Sequence, residues 1–577
     1  MAGIVRGGGL VGHAVRKPLT RGLLTGGGGG LDLSAALAGP AAPKTADVVV
    51  IGGGSGGIAC ANNLAERGLE VALVDHVRPS TQGTTYGFGG TCVNVGCIPK
   101  YLFHRAASLR DEVNMDGPAF GLGPTPRLAD SKDAWSTVVQ TVQNHVRSLS
   151  FSYAANVHAN VSLVRSRAVG VDPEPDSRSV EVANAGKSNR IEARQGVILA
   201  MGGRPHIPDH IPGAKTHGIT SDDIFSLNKP PGKTLCVGGS YVSLEIAGFL
   251  AGLGFDTTVA VRSRPLRGAA FDVQCADKVV ELLGAHGARV AQVEPIRLER
   301  DGPDAPIRVS LRHSDGSTTE ESFDTVLFGT GRAPEVTDLG LDKAGVTFDQ
   351  SSGKVLVDDR FETSREGIFA LGDCALTPID APELTPVAIR QADVLADLIV
   401  PVANGDRKPA RFLDTAVAEL IGRERAASLM VPSTVFTPIE YGRVGLGEDA
   451  ACDLLGPDNV ETYIMEWQSL HVSASHRTAH DGSEYPRQCL AKVVCHRGGD
   501  DPAQQRVIGL HFVGPAAGET MQGLALAVNL GATKEDLFDR VLGIHPTNAE
   551  AFVDLSITTR SGQDYVQQGG CAGGRCG

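Results

Sequence analysis

Along the chain, apolar and polar positions fall into a strand–helix alternation that occurs twice. Thr45 to Ile51 (TADVVVI) is a β-branched run of strand length, and Ile58 to Arg67 spaces its apolar residues at helical period. Between them stands Gly52-Gly53-Gly54-Ser55-Gly56-Gly57, and a second strand, Glu70 to Val74, follows and ends in Asp75. The pattern returns at Thr234 to Val237, which runs into Gly238-Gly239-Ser240-Tyr241-Val242-Ser243-Leu244-Glu245, a helix of small residues and a strand from Thr257 to Val261. Val197 to Arg204 and Thr325 to Arg332 end hydrophobic strands in Gly-Gly-Arg or Gly-x-Arg turns, expected where chain passes between two such units. Ile368 to Asp373 reads as another strand ending in an acid, and Glu383-Leu384-Thr385-Pro386 opens a helix. From about Arg411 strands and helices mix, with a polar, loop-rich segment from about Ser473 to Arg487. The expected fold class is α/β: two Rossmann-like domains and an α+β C-terminal domain. The expected boundaries are a leader at 1–43, a discontinuous first domain at 44–203 and 333–405, a second domain at 204–332, a third at 406–565 and a flexible tail at 566–577.

Composition narrows the partners. At 577 residues the chain exceeds one core, and 42% hydrophobic with 21% charged residues is ordinary for a globular protein. A net charge of −13 argues against general binding to nucleic acid or anionic membrane, since no basic field exists to neutralise phosphates. No run of spanning length is free of interruption, so no membrane insertion is expected. Eleven cysteines, an odd count without dense spacing, place the chain in a reducing compartment, in the first instance the cytoplasm. The first 31 residues carry Arg6, Arg16, Lys17 and Arg21 and no acid, which leaves mitochondrial or other organelle targeting open beside a disordered leader.

The glycine turns carry chemistry. Gly52, Gly54 and Gly57 occupy the G-x-G-x-x-G places that permit a tight turn, close approach of a pyrophosphate and close helix–strand packing. Ser55 and Gly56 lie at the start of the helix whose N–H groups bind phosphate, and Asp75 is placed to accept ribose hydroxyls. The second unit offers Gly238 and Ser240 at its turn. Its strand leads not to an acid but to Arg262, with Ser263 beside it and Arg267 five residues on, which suits the 2′-phosphate of NADPH. Two dinucleotides are therefore implied. Asp373 is placed for a cofactor polyol, with an ordinary helix cap as the competing reading. The helix opened by Thr385 could face the electron-rich edge of a flavin.

Redox chemistry enters at Gly90-Thr91-Cys92-Val93-Asn94-Val95-Gly96-Cys97-Ile98-Pro99-Lys100, with a structural pair, or two buried thiols that never meet, as the competing reading. Fully extended, Cys92 and Cys97 would stand about 17 Å apart, so pairing requires the segment to coil as a first helical turn would. A helix start and Lys100 both favour a thiolate. Near the C-terminus, His545 precedes Pro546, and Glu550 is placed to orient its imidazole as a base. The glycine-rich tail repeats the spacing with Cys571 and Cys576, and Arg575 beside them. Cys60, Cys236, Cys275, Cys374, Cys452, Cys489 and Cys495 read as structural. No metal site is expected.

Taken together, GGGSGG at Gly52, GGTCVNVGCIPK at Gly89, GGSYVSLE at Gly238, VRSRPLRG at Val261, ALGD at Ala370, ELTPVAI at Glu383, IHPTNAE at Ile544 and CAGGRC at Cys571 resemble the high-molecular-weight thioredoxin reductases of the pyridine nucleotide-disulfide oxidoreductase family, with a tail of the apicomplexan and algal kind. The resemblance implies FAD held by the first unit with Gly90, Thr91, Lys100 and Gly202, and NADPH held by the second with Gly331. It further implies Cys97 against the flavin, Cys92 exchanging with the next disulfide, a Lys100–Glu245 ion pair and Tyr241 over the nicotinamide pocket. The resemblance also implies a homodimer, with His545, Glu550 and the tail acting across it to reduce thioredoxin. Two other readings stay open, a glutathione-disulfide reductase and a flavin-binding partner without turnover. Met201, Ala269-Ala270 and Glu335-Val336 depart from the family pattern, and the segments near Lys408 to Leu429 and Ser473 to Arg487 carry no assigned role.

Overall fold

The computed structural model describes residues 42–567, apart from 175, 185, 380, 402–411, 414 and 499–500. The leader and the tail cysteines Cys571 and Cys576 lie outside the described residues.

The first sheet is built on the TADVVVI run. β1 (Thr45–Ile51) pairs in parallel with β2 (Val71–Val74), in register Val48 to Val71 and Ile51 to Val74, and β2 with β3 (Val161–Val164). β6 (Lys187–Leu199) changes partners along its length. Its first half is antiparallel to β5 (Ser179–Asn184), which pairs with β4 (Arg167–Val171), and its apolar second half is parallel to β1. β11 (Ile368–Ala370), far along the chain, joins the other side of β6. α1 (Ser55–Glu66) and α7 (Thr385–Ile399) pack together on one face. The second sheet is wholly parallel, with β7 (Thr234–Val237), β8 (Thr257–Ala260), β9 (Ala288–Ala291) and β10 (Thr325–Phe328) in the order β9-β8-β7-β10. Every residue of β7 and β8 is buried, as helices on both faces require. α5 (Tyr241–Gly252) follows β7, and α6 (Val273–Ala285) precedes β9. The two crossing turns meet, Gly203–Pro205 lying antiparallel to Arg332–Pro334.

The third sheet is antiparallel, in the order β12 (Ser433–Val435), β13 (Glu440–Gly445), β16 (Arg506–Gly514), β15 (Cys489–His496), β14 (Val460–Trp467). α8 (Ala517–Asn529) lies on β13 and β16, and Trp467 stacks on Phe512 in its core. This sheet also reaches the second one. Asp272 caps α6 through the N–H groups of Gln274 and Cys275, and its other oxygen accepts from Lys492 at 2.9 Å, in a buried cluster completed by Glu448.

Several expectations shift. The Cys92–Cys97 segment is not one helical turn: α2 (Gly90–Val95) ends, Gly96 breaks the path at φ −132°, and Cys97 starts α3 (Cys97–Asp111). A side chain at Gly96 would press on the Thr91 carbonyl, so the break needs glycine. The strand before Asp373 stops at Ala370, and Asp373 sits in a single 3₁₀ turn. The polar segment from Ser473 to Arg487 has a packing role. Arg477 pairs with Asp116 just beyond α3, while His286 at the end of α6 bridges Asp111 at 2.8 Å and Tyr485 at 2.7 Å. Among the described residues, no helix is long and apolar enough to cross a membrane.

Candidate functional site

A cavity of about 280 Å³ opens where the carboxyl ends of β1 and β2 meet α2, α3, α5 and α7. Its floor is the first glycine turn. Gly52 has φ +111° and its Cβ would stand 2.3 Å from the Ala200 carbonyl oxygen, while a Cβ on Gly57 would stand 1.9 Å from that of Gly52. Gly54 differs: its Cβ would meet nothing nearer than Gly90 Cα at 3.8 Å, so this glycine leaves room for a ligand. Gly90, at φ +74°, lies so close that its own Cβ would strike Gly54. Ser55 and Gly56 line the cavity at the start of α1, and Gly202 lines the far side. Asp75 accepts the Gly53 N–H at 2.8 Å, and burial pushes its carboxyl above the usual range. Asp373, also raised by burial, lines the same cavity with Thr385, the first residue of α7.

The redox thiols stand in the opposite wall. Both are free and line the cavity; Cys92 is half-buried, whereas Cys97 is exposed, its Sγ 3.9 Å from Thr385 Oγ1. The hydrogen bond from the Cys92 thiol, together with the nearby Lys100 ammonium, lowers Cys97 to about 6. Cys92, giving that hydrogen bond and partly desolvated, is pushed well up. Lys100 stands one turn beyond Cys97 on α3, and its Nζ donates to both Glu245 oxygens at 2.7 and 2.8 Å. Tyr241, one turn before Glu245 on α5, presents its ring 5.7 Å from the same ammonium. The expected ion pair and its aromatic neighbour are thus together.

The second cluster lies outside this cavity, at the carboxyl edge of β7, β8 and β10. Gly238, at φ +118°, approaches the Gly329 carbonyl, to which Ser240 Oγ donates at 3.0 Å. Arg262 and Arg267 are exposed, Ser263 is half-buried, and among the described residues neither arginine has a carboxylate partner. Gly331 lies in the crossing turn at φ +119°. α5 joins the two sites, starting at this turn and carrying Tyr241 and Glu245 into the cavity.

His545 does not line the cavity. Its Nδ1 is 3.0 Å from Glu550 Oε2, and the Glu550 carboxylate also accepts the Thr547 N–H in a capping box. The His545 side chain is half-exposed, beside Leu542 and Ile544, which are 94% and 78% exposed.

Residues that the motifs passed over also line the cavity. Arg332, read only as the end of a crossing turn, donates to Thr91 Oγ1 at 3.3 Å. Glu335, noted only as a departure, pairs with Arg78 at 3.4 Å, and Glu383 pairs with Lys354 at 2.8 Å. Their signal was local chemistry at a strand end, but their partners lie far off in sequence. Of the cysteines read as structural, Cys60, Cys236, Cys275, Cys374, Cys489 and Cys495 are buried, and Cys452 is half-buried.

A mixed sheet with parallel central strands and a wholly parallel sheet, both of nucleotide-binding type and set about a paired thiol, define an oxidoreductase that works on disulfides. Residues 46–392 match the pyridine nucleotide-disulphide oxidoreductases and residues 431–556 match the dimerisation domain of that family, to which the chain belongs. It is 41% identical over 542 residues to a thioredoxin reductase of Plasmodium falciparum, covering 92% of each chain. It is 43% identical over 541 residues to a thioredoxin reductase of Emiliania huxleyi, covering 92% of this chain and all of the other. A mitochondrial thioredoxin reductase of Drosophila melanogaster is 39% identical over 534 residues, covering 91% of this chain and 94% of that one.

Proposed function

We propose that the chain reduces the disulfide of thioredoxin with electrons from NADPH, by way of FAD and the Cys92/Cys97 pair. The observation that carries this reading is the Cys92/Cys97 pair at the wall of a glycine-floored cavity, beside the Lys100–Glu245 ion pair. The open space at Gly54, the half-buried Asp75 carboxylate and the helix start at Thr385 fit FAD. Gly52, Gly54, Ser55, Gly56, Gly57, Asp75, Gly90, Thr91, Lys100, Gly202, Asp373 and Thr385 would hold it, in a domain formed by 44–203 and 333–405. Gly238, Ser240, Tyr241, Glu245, Arg262, Ser263, Arg267 and Gly331 would hold NADPH in 204–332, the two arginines, without carboxylate partners among the described residues, suiting its extra phosphate. When bound, FAD supplies two-electron chemistry between nicotinamide and disulfide.

The protein groups then divide the work. The hydrogen bond from Cys92 and the Lys100 ammonium together favour Cys97 as thiolate. Cys92, whose thiol is pushed up, needs a base before it can attack, and His545 of the partner subunit, oriented by Glu550, takes that proton. The Cys92 thiolate attacks the Cys571–Cys576 disulfide of the partner's tail, forming a mixed disulfide and releasing one tail thiolate. Cys97 then displaces the tail from Cys92, closing Cys92–Cys97 and leaving a tail dithiol to reduce thioredoxin.

A homodimer formed through 406–565 accords with the matched dimerisation domain. The names of the relatives favour thioredoxin over glutathione disulfide. The chain is placed in the cytoplasm or an organelle matrix, where thiols stay reduced. Truncation after Gly570 tests the relay: NADPH should still reduce the flavin while thioredoxin turnover collapses, and full turnover by the truncated chain would sink it.

A further inference from the structure

We infer that Phe436 is a positioning residue through which the dimerisation domain fixes the Lys100–Glu245 ion pair against the redox thiols. Phe436 lies between β12 and β13, within the matched dimerisation domain, and does not line the cavity. Its backbone N–H donates to Glu245 Oε1 at 3.0 Å, so the carboxylate that holds Lys100 is itself held from the third sheet. Its ring centroid is 5.1 Å from Lys100 Nζ, so Phe436 shares that ammonium with Tyr241 and Glu245.

Helical spacing explains how one ring meets so much of the site. Cys97, Lys100, Tyr101 and His104 fall at i, i+3, i+4 and i+7 on one face of α3. Tyr101 meets Phe436 edge-on at 5.7 Å and His104 meets it at 5.8 Å. On α5 the corresponding face carries Tyr241, Glu245 and Gly248, and a Cβ on Gly248 would stand 2.6 Å from Pro438 Cδ, so the glycine lets the 436–439 segment lie down on α5. Without the ring, water reaches the ammonium and screens it from Cys97. Among the described residues, the charged and polar groups that shift Cys97 most are Cys92 on α2, Lys100 on its own helix, Thr385 on α7 and Glu245 on α5, and of these Lys100 is the cation.

The inference rests on the redox-pair reading, and its test is independent of thioredoxin turnover. The NADPH-reduced full chain is pulsed with iodoacetamide across pH and the Cys97 peptide is quantified by mass spectrometry. Phe436→Leu should raise the midpoint of Cys97 labelling by roughly half to one pH unit, and Phe436→Tyr, which keeps the ring, should restore it. Phe436→Met, an unbranched apolar replacement, serves if the leucine variant does not fold. An unmoved midpoint in a folded ring-less variant, or a shift that tyrosine does not reverse, overturns the inference. Failure of the proposed function would instead appear as an unmodified chain that does not turn over thioredoxin.

Discussion

Cys92 and Cys97 are chemically identical side chains, yet their neighbours drive their protons in opposite directions. The hydrogen bond between them favours the thiolate on Cys97, and Lys100 adds to that preference, because a cation one helical turn away stabilises the charged form. Cys92 bears the cost: it gives that hydrogen bond and lies beside a negative neighbour, so it stays protonated. This asymmetry assigns direction, since the resting thiolate faces the cofactor cavity and its partner is the thiol that must be activated. The pH dependence has the sign of a lowered acid. Cys97 has a midpoint lowered to about 6, so its thiolate is present above that pH and is lost as pH falls through it. Alkylation of Cys97 in the reduced chain should therefore fall off below about 6. Lys100→Met should move the fall-off upward by at least about one pH unit. An unmoved midpoint would show that the hydrogen bond from Cys92 acts alone.

At the scale of elements, the two strand–glycine–helix units diverge after their second strands. The first leads to the half-buried Asp75, the second to two exposed arginines without carboxylate partners among the described residues. Charge-assisted hydrogen bonds from such arginines to a phosphate contribute enough that Arg262→Ala with Arg267→Ala should raise KM for NADPH roughly tenfold to a hundredfold. KM for NADH should stay put, and equal losses with both nucleotides would remove the arginines from the phosphate site. These units were legible because every requirement is local: apolar strand, glycine where a Cβ would strike a carbonyl, helix directly after. The Gly96 break was not legible, since Val93 to Lys100 satisfies helical spacing on both sides of it and only the close Thr91 carbonyl shows why the path must turn. Nor was the role of the Ser473 to Arg487 segment, whose partners His286 and Asp116 lie 199 and 361 positions away. Arg332 and Phe436 were hidden for the same reason, each joining the site through groups in another part of the chain.

At the scale of the molecule, the proposed relay needs a second copy of the chain. The thiol that needs a base, Cys92, lines the cavity, and the histidine best arranged to serve it, His545 with Glu550 behind its Nδ1, does not. His545 stands on the matched dimerisation domain, and Leu542 and Ile544 beside it expose apolar side chains that a lone subunit would leave in water. Under the proposed dimer, a two-fold axis would answer both problems at once, covering the apolar pair and carrying each His545 towards the Cys92 of the other copy. Mixed dimers can distinguish this from a site completed within one chain. A Cys92→Ser chain and a His545→Gln chain, carrying different affinity tags, are co-expressed and the heterodimer isolated. If the base acts across the interface, the His545→Gln subunit contributes an intact Cys92 that meets the intact histidine of the other copy. The heterodimer should then keep about half the thioredoxin turnover of the unmodified dimer, because one of its two symmetric sites is whole. If the base acts within a chain, each site lacks one of the two groups, and the heterodimer should turn over no faster than the two parent homodimers.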